Sequence, residues 1–169
     1  LRNCLRRVMV ATTVSPSAEQ WTMNREFQGK IGIIGAGALG ALYGAHIARA
    51  GYDVHFLMRA DFDAVRRDGL RIKSFQGDFA ITPPVYRTPA EMGPCDLLIV
   101  GLKSTDNGAL EHLLGPTTSP ATIILTLQNG LGNEEQIAEV LARLHPGAPA
   151  AERILGGVAF LCSNRIAPG

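Results

Sequence analysis

A chain of 169 residues, 46% hydrophobic and 18% charged, is long enough to bury one core and has the balance of a globular domain, which argues against a disordered protein. The formal net charge of +1, with no run of five like charges, predicts no nucleic-acid partner and no anionic membrane partner, so we expect a small-molecule ligand. The three cysteines, Cys4, Cys95 and Cys162, lie far apart without a CxxC pair. This spacing argues against a disulfide framework or a zinc site, favours structural thiols, and suits a reducing, cytoplasmic compartment.

The first 29 residues differ from the rest of the chain. They carry three arginines among the first seven residues, no acid before Glu19 and several Ser and Thr, a composition typical of organelle transit peptides. A plainer interpretation, which we favour, is that the residues before Met23 are upstream sequence or a cloning remnant. We therefore expect residues 1–29 to be a disordered or non-native extension and residues 30–169 to form one domain, truncated at its C-terminal end.

No membrane span is expected from the hydropathy of the chain. The most apolar window of 20 residues, 31–50, contains five glycines together with His46 and Arg49. Gly40 and Gly44 match a small-xxx-small pattern, but the charged Arg49 favours a helix of a soluble domain.

From Lys30 onward, short apolar runs alternate with helical patterns. In chain order, the patterns predict strands over 30–34 and 53–58, with a helix over 38–50 between them. A short helix from Asp61 to Gly69 follows, then an antiparallel hairpin or edge pair over 70–75 and 79–86. The remaining pattern predicts strands over 96–102, 121–127 and about 153–161, with helices over 106–114 and 133–144.

The type of sheet follows from the composition of these strands. Pro83 and Pro84 exclude a central position for the strand that contains them. The other strands are continuously apolar and separated by helices, which is typical of a mostly parallel sheet covered on both faces. The expected fold class is α/β with a Rossmann-type, doubly wound sheet.

The stretch IGIIGAGALG places a GxGxxG motif between the first strand and the first helix. In such a motif the first glycine permits a tight turn, the second lets the backbone approach a pyrophosphate, and the third lets the helix pack on the strand. The free N–H groups of the helix N-terminus then bind phosphate oxygens. A glycine-rich turn that merely packs is the alternative, but a strand before it and a second strand within about 30 residues favour a dinucleotide site. The predicted phosphate-binding residues are Gly35, Ala36, Gly37, Ala38, Leu39 and Gly40.

The end of the second predicted strand indicates which dinucleotide binds. NAD sites place an Asp or Glu about 20 residues after the glycine motif to bind the ribose 2′-hydroxyl. Here Met58 and Arg59 stand at that place, and a guanidinium suits a 2′-phosphate. NADP is therefore preferred over NAD, although Asp61 is close by and an exposed arginine at a strand end is often only a surface residue.

Five motifs in order resemble the N-terminal half of the ketopantoate reductase (2-dehydropantoate 2-reductase) family: KIGIIGAGALGALYGAHIARAGYDVHFLMR, DGLRI, VGLKS, LQNGLGNEE and ILGGVAF. The resemblance extends from about Lys30 to Gly169. It implies an oxidoreductase that reduces ketopantoate to pantoate with NADPH, on the route to pantothenate and coenzyme A. It also implies that Arg59 binds the 2′-phosphate and that Lys103 and Asn129 lie beside the nicotinamide end.

The positions of Lys103 and Asn129 support that role independently. Each follows the carboxyl end of a predicted parallel strand, the edge where ligands bind in open α/β sheets. An ammonium and a carboxamide there could orient the nicotinamide ribose or a substrate carboxylate. The alternatives are an exposed lysine and a turn-forming Asn-Gly pair.

Other polar residues are predicted to be structural. Asn133, Glu134 and Glu135 open a helix, so a cap and favourable first-turn charges explain them. Ser104 beside Lys103 is not expected to form a catalytic dyad. The four histidines, at positions 46, 55, 112 and 145, show no ligand spacing, so we expect packed or surface histidines and no metal site.

The resemblance also implies what the chain lacks. In the family, the general-acid lysine and the substrate-binding residues belong to a second, helical domain that follows this half. We therefore expect no catalytic residue here, little or no turnover by the isolated chain, and self-association through an exposed domain interface. A stand-alone NAD(P)-sensing module and a paralogous reductase of another 2-oxoacid remain alternatives, because fold does not fix function.

Overall fold

The computed structural model describes residues 27–169, so the predictions for the leader and for a start at Met23 lie outside the described residues. The strands are β1 (Ile31–Ile34), β2 (Val54–Leu57), β3 (Leu70–Ile72), β4 (Phe79–Ile81), β5 (Val85–Tyr86), β6 (Leu97–Val100), β7 (Ile123–Thr126) and β8 (Ile154–Gly156). The helices are α1 (Ala38–Arg49), α2 (Phe62–Asp68), α3 (Pro89–Met92), α4 (Leu110–Thr117) and α5 (Asn133–Leu144), with 3₁₀ turns at Ser104–Ala109 and Ala151–Arg153. Within residues 27–169, no helix has both the length and the apolar character needed to cross a membrane.

Six strands form one parallel sheet in the order β5-β2-β1-β6-β7-β8, and β3 pairs antiparallel with β4 in a separate hairpin. Ile33 and Ile34 of β1 are both fully buried but belong to the two different apolar clusters that cover the two faces of the sheet. The continuous apolar run of β1 follows from this two-sided burial. The doubly wound α/β prediction is confirmed.

The chain reverses its direction of strand addition at β1. β2 and β5 lie on one side of β1, whereas β6, β7 and β8 lie on the other. A crevice therefore opens beyond the carboxyl ends of β1 and β6, the place where open α/β sheets bind ligands.

The predicted antiparallel pair is confirmed in β3 and β4, but the continuous strand predicted over 79–86 is wrong. β4 ends at Ile81, and Val85–Tyr86 instead joins the edge of the main sheet, parallel to β2. Pro83 and Pro84 separate the two strands because neither can donate a backbone hydrogen bond to a ladder. Pro84 still accepts one through its carbonyl oxygen, 2.9 Å from the amide nitrogen of Phe56.

Other element boundaries also differ from the prediction. The helix expected over 106–114 begins as a 3₁₀ turn, and its α-helical part runs from Leu110 to Thr117, because STDNGA contains poor helix formers. The last strand covers only Ile154–Gly156. The sequence analysis missed α3, which a reciprocal capping box between Thr88 and Glu91 defines. The motif T-P-A-E was the available signal, but four residues show no periodicity.

The cysteines differ from one another. Cys95 is buried, its thiol donates to the carbonyl oxygen of Gly93, and burial raises the pKa of that thiol to about 11. A neutral, inert thiol follows for Cys95 at pH 7, which fits a structural role. Cys162 is exposed and does not fit that role, and Cys4 lies outside the described residues.

Apolar side chains are exposed near the carboxyl edge of the sheet and along the last segment. Leu131, in the loop after β7, is 100% exposed, and Phe160 is 97% exposed. These apolar side chains are exposed, but a domain interface formed by them stays a prediction. Self-association through it stays a prediction.

Candidate functional site

The glycine motif forms the turn between β1 and α1. Gly35 has a φ of +82°, and a Cβ there would lie 2.5 Å from the amide nitrogen of Leu102. A Cβ on Gly40 would lie 2.4 Å from the carbonyl oxygen of Gly35, whereas one on Gly37 would meet no atom within 4 Å. The first and third glycines are therefore required by packing of the fold, and the second leaves open space beside the turn.

The N-terminus of α1 offers unpaired donors at the same place. Gly37 is the N-cap residue, no side chain caps the helix, and its first turn carries no acidic residue. The amide of Ala41 makes the first intrahelical bond, to the carbonyl oxygen of Gly37 at 2.8 Å, so the preceding amides have no helical acceptor. Free N–H groups and the positive end of the helix dipole suit an anion.

The spacing of Gly40 and Gly44 is explained by packing within the domain. A Cβ on Gly44 would lie 2.6 Å from Cε1 of Phe56, a fully buried residue of β2. The small residues let α1 lie close to the sheet.

A cleft of about 730 Å³ opens at the crevice beyond β1, β2 and β6. Its walls come from the glycine turn, from the loops after β2, β5 and β6, from α4 and from the C-terminal segment. The lining residues include the glycine turn and the charged or titratable side chains of the cleft: Gly35, Ala36, Gly37, Arg59, Asp61, Arg87, Asp106, His112 and Arg165. Of the six predicted phosphate-binding residues, the first three line the cleft, and Ala38, Leu39 and Gly40 form the first turn of α1.

Arg59 lines the cleft at the carboxyl end of β2. Its side chain is exposed, and it makes no hydrogen bond or ion pair with the other described residues. Asp61 also lines the cleft, but its carboxylate binds the guanidinium of Arg165 and is only 16% exposed. Asp61 occupies the N-cap position of α2 as predicted, although its side chain makes no capping hydrogen bond.

Lys103 and Asn129 are exposed residues of the loops after β6 and β7. The two loops are neighbours, because a Cβ on Gly130 would lie 3.9 Å from Oγ of Ser104. Neither Lys103 nor Asn129 lines the cleft itself. The structure thus brings their backbones to the same edge of the sheet.

A network of side-chain amides, which the sequence analysis missed, connects these loops. Asn107 donates to Oδ1 of Asn133 at 3.0 Å and to Oε1 of Gln136 at 2.7 Å, and it accepts from Nε2 of Gln128 at 2.6 Å. Asn133 in turn donates to the carbonyl oxygens of Asn129 and Gly130. The partners of Asn107 all lie more than 20 residues from it along the chain, so no local pattern indicates them.

The prediction that Asn133 caps α5 is wrong. The N-cap residue is Gly132, with a φ of +82°, and Asn133 is the first residue of the helix. Asn133 is buried, and its side chain holds the preceding loop instead of the helix N-terminus. Glu134 and Glu135 do lie in the first turn, where their charge is favourable.

We expect Asn133→Ala to lower the free energy of unfolding by about 2 kcal/mol, because the substitution removes three hydrogen bonds made by a buried side chain. Gln136→Ala is the matched control, since Gln136 belongs to the same network but is exposed, and a loss of about 0.5 kcal/mol or less is expected there. Urea unfolding of both variants measures the difference. Equal, small losses would contradict a structural role for the network.

Most of the histidines have structural partners. His46 packs edge-on against Phe79, and burial together with Arg49 lowers the pKa of its imidazole. His55 bonds Tyr86 and Asp53, and His145 bonds Thr118. His112 instead lines the cleft. Within the described part of the chain, no group of three or more His, Cys, Asp or Glu residues could hold a metal ion.

Comparison with known proteins agrees with this geometry. The sequence model of the family described as Ketopantoate reductase PanE/ApbA matches residues 31–169. The chain belongs to the ketopantoate reductase family. The 2-dehydropantoate 2-reductase of Nostoc sp. is 46% identical over 142 residues, which are 83% of this chain and 42% of that protein.

Solved structures of ketopantoate reductases show the same fold. The 2-dehydropantoate 2-reductase of Geobacter metallireducens is 52% identical with a TM-score of 0.73, over 83% of this chain and 44% of that one. The enzyme of Methylococcus capsulatus is 31% identical with a TM-score of 0.69, over 82% and 43%. A D-mandelate dehydrogenase, 22% identical with a TM-score of 0.68, shares the fold. The chain thus spans less than half the length of these relatives.

Proposed function

We propose that this chain is the cofactor-binding half of an NADPH-dependent reductase that converts 2-dehydropantoate into pantoate for pantothenate and coenzyme A biosynthesis. One observation carries the proposal: the open glycine turn and the guanidinium of Arg59, which no described residue bonds, line one cleft in a member of the ketopantoate reductase family. The spacing from glycine turn to strand end suits the pyrophosphate and adenosine of a dinucleotide.

The residues present fit such a cofactor. The open space at Gly37 admits a pyrophosphate, which Gly35, Ala36 and Gly37 and the first turn of α1, Ala38 to Gly40, would hold through backbone N–H groups. When bound, the reduced nicotinamide supplies the hydride for the keto carbon of a 2-oxoacid. Lys103 and Asn129, at the neighbouring edge, would orient the nicotinamide ribose or the substrate carboxylate.

The charges in the cleft favour a 2′-phosphate over a free 2′-hydroxyl. A carboxylate at this place would repel a phosphate, but Asp61 is paired with Arg165. Because no described residue bonds the guanidinium of Arg59, its donors are available to a ligand. We therefore propose NADP rather than NAD as the cofactor.

Titration of the chain with NADPH and NADH, followed by nucleotide fluorescence, tests the proposal. We expect NADPH to bind more tightly, and Arg59→Ala to weaken NADPH by about 10- to 100-fold with little effect on NADH, because a charge-assisted bond is lost. Arg66→Ala, an exposed arginine outside the cleft, is the matched control. Equal binding of both nucleotides would overturn the role of Arg59, and binding of neither would overturn the dinucleotide site.

A further inference from the structure

Arg87 places a second guanidinium in the cleft that Arg59 lines. It follows β5, the edge strand that pairs parallel with β2 in a register that aligns Leu57 with Tyr86. The amide of Met58 continues the ladder to the carbonyl oxygen of Tyr86 at 2.9 Å. Arg59 and Arg87 thus leave neighbouring strands about 4.8 Å apart at the same edge, and both line the cleft.

The guanidinium of Arg87 is held in place on one side only. Its Nη2 donates to Oδ1 of Asp63 at 2.5 Å, and its Cζ lies 4.4 Å from the ring centroid of Phe62, a buried residue of α2. A guanidinium has five N–H donors, and the other donors of Arg87 make no hydrogen bond with the described residues. The side chain is half exposed, so the remaining donors are available to a ligand.

The backbone at Arg87 is also fixed. Its amide donates to Oε2 of Glu91 at 3.1 Å, and the capping box of α3 begins at the next residue, Thr88. A guanidinium anchored at its backbone and at a ring face loses little conformational freedom when an anion binds, which favours affinity.

We propose that Arg87 is a second specificity-determining residue for a 2′-phosphorylated dinucleotide, donating to the same phosphate as Arg59. The inference rests on the proposed function and deepens it. A phosphate monoester carries between about 1.5 and 2 negative charges at pH 7, so one guanidinium neutralises it only in part and two match it. Arg87 is part of neither the glycine motif nor the strand end that indicated the cofactor.

A purely structural role makes a different prediction. Arg87 and Asp63 form an exposed ion pair, worth between about 0 and 1 kcal/mol to folding. Loss of such a pair alters stability slightly and affects all ligands of the cleft alike. A phosphate-binding role instead alters only ligands that carry the 2′-phosphate.

The test is a calorimetric titration of the chain with 2′,5′-ADP and with 5′-AMP, which lacks the 2′-phosphate. We expect Arg87→Gln to weaken 2′,5′-ADP by about 5- to 20-fold and to change 5′-AMP by less than about twofold. Arg143→Gln is the matched control, because Arg143 is likewise an exposed arginine paired with a carboxylate of another helix, Glu111, and does not line the cleft. It should change neither affinity.

Asp63→Asn separates the guanidinium from its ion pair. This variant removes the paired carboxylate and keeps Arg87, so the affinity for 2′,5′-ADP should stay the same or rise.

An equal loss in Asp63→Asn and Arg87→Gln, a loss shared by 5′-AMP, or no loss in Arg87→Gln would each overturn the proposal. If the wild type prefers 2′,5′-ADP and Arg59→Ala removes that preference while Arg87→Gln does not, only the role of Arg87 fails. Failure of the wild type to bind either ligand would overturn the proposed cofactor as well.

Discussion

Gly40→Ala is expected to destabilise the domain by about 2–4 kcal/mol and to abolish nucleotide binding. The new Cβ would lie 2.4 Å from the carbonyl oxygen of Gly35 and 3.2 Å from its carbonyl carbon. Both are backbone atoms of the turn, so α1 must move away from β1, and overpacking of this kind is costly. Urea unfolding gives the loss of stability, and NADPH titration gives the loss of binding.

Gly37→Ala is the matched variant, and we expect it to weaken nucleotide binding while leaving stability nearly unchanged. Its backbone, with a φ of −73°, suits any residue, and its Cβ would meet no protein atom within 4 Å. Stability should therefore change by less than about 0.5 kcal/mol. The methyl group would occupy the space proposed for the pyrophosphate, so NADPH affinity should fall by about tenfold or more. Unchanged affinity would place the pyrophosphate elsewhere, and a stable, binding-competent Gly40→Ala would contradict the packing role.

The parts of the fold that sequence predicted well are those with local signals. The predicted ends of β1, α1 and β2 lie within about one residue of the observed ends, because a buried apolar run, a glycine turn and Gly51 mark them. Gly69 ends α2 as predicted, with a φ of +81°. In each case the residue that decides the boundary lies within the element or next to it.

The parts that could not be predicted depend on contacts between distant segments. Val85–Tyr86 is too short to show a period, and its place beside β2 follows only from the sheet. The amide of Asn133 could serve as a helix cap or as a loop anchor, and the choice depends on Asn107, 26 residues away. The pairing of Asp61 with Arg165, across 104 residues, has no local signal either. Sequence therefore indicated the glycine turn and Arg59 of the candidate site but not the charges and amides around them.

The chain on its own is expected to bind NADPH without oxidising it when 2-dehydropantoate is added. Reduction of a ketone needs an acid that protonates the developing alkoxide and a site closed to water. Lys103 and Asn129, the residues proposed for the nicotinamide end, are both exposed. The resemblance assigns the acid to a helical domain, and the aligned region covers only 44% of the Geobacter metallireducens enzyme.

Absorbance of NADPH, followed with and without 2-dehydropantoate, measures this turnover. A full-length member of the family at equal concentration is the positive control, and a parallel fluorescence titration shows that the chain has bound the cofactor. Because general acid catalysis contributes about 10²- to 10⁴-fold, the chain should be slower by at least 100-fold. Substrate-dependent oxidation near the rate of the full-length enzyme would contradict the proposal. If Lys103→Ala then removed that activity while NADPH binding persisted, Lys103 would act on the substrate and not on the cofactor.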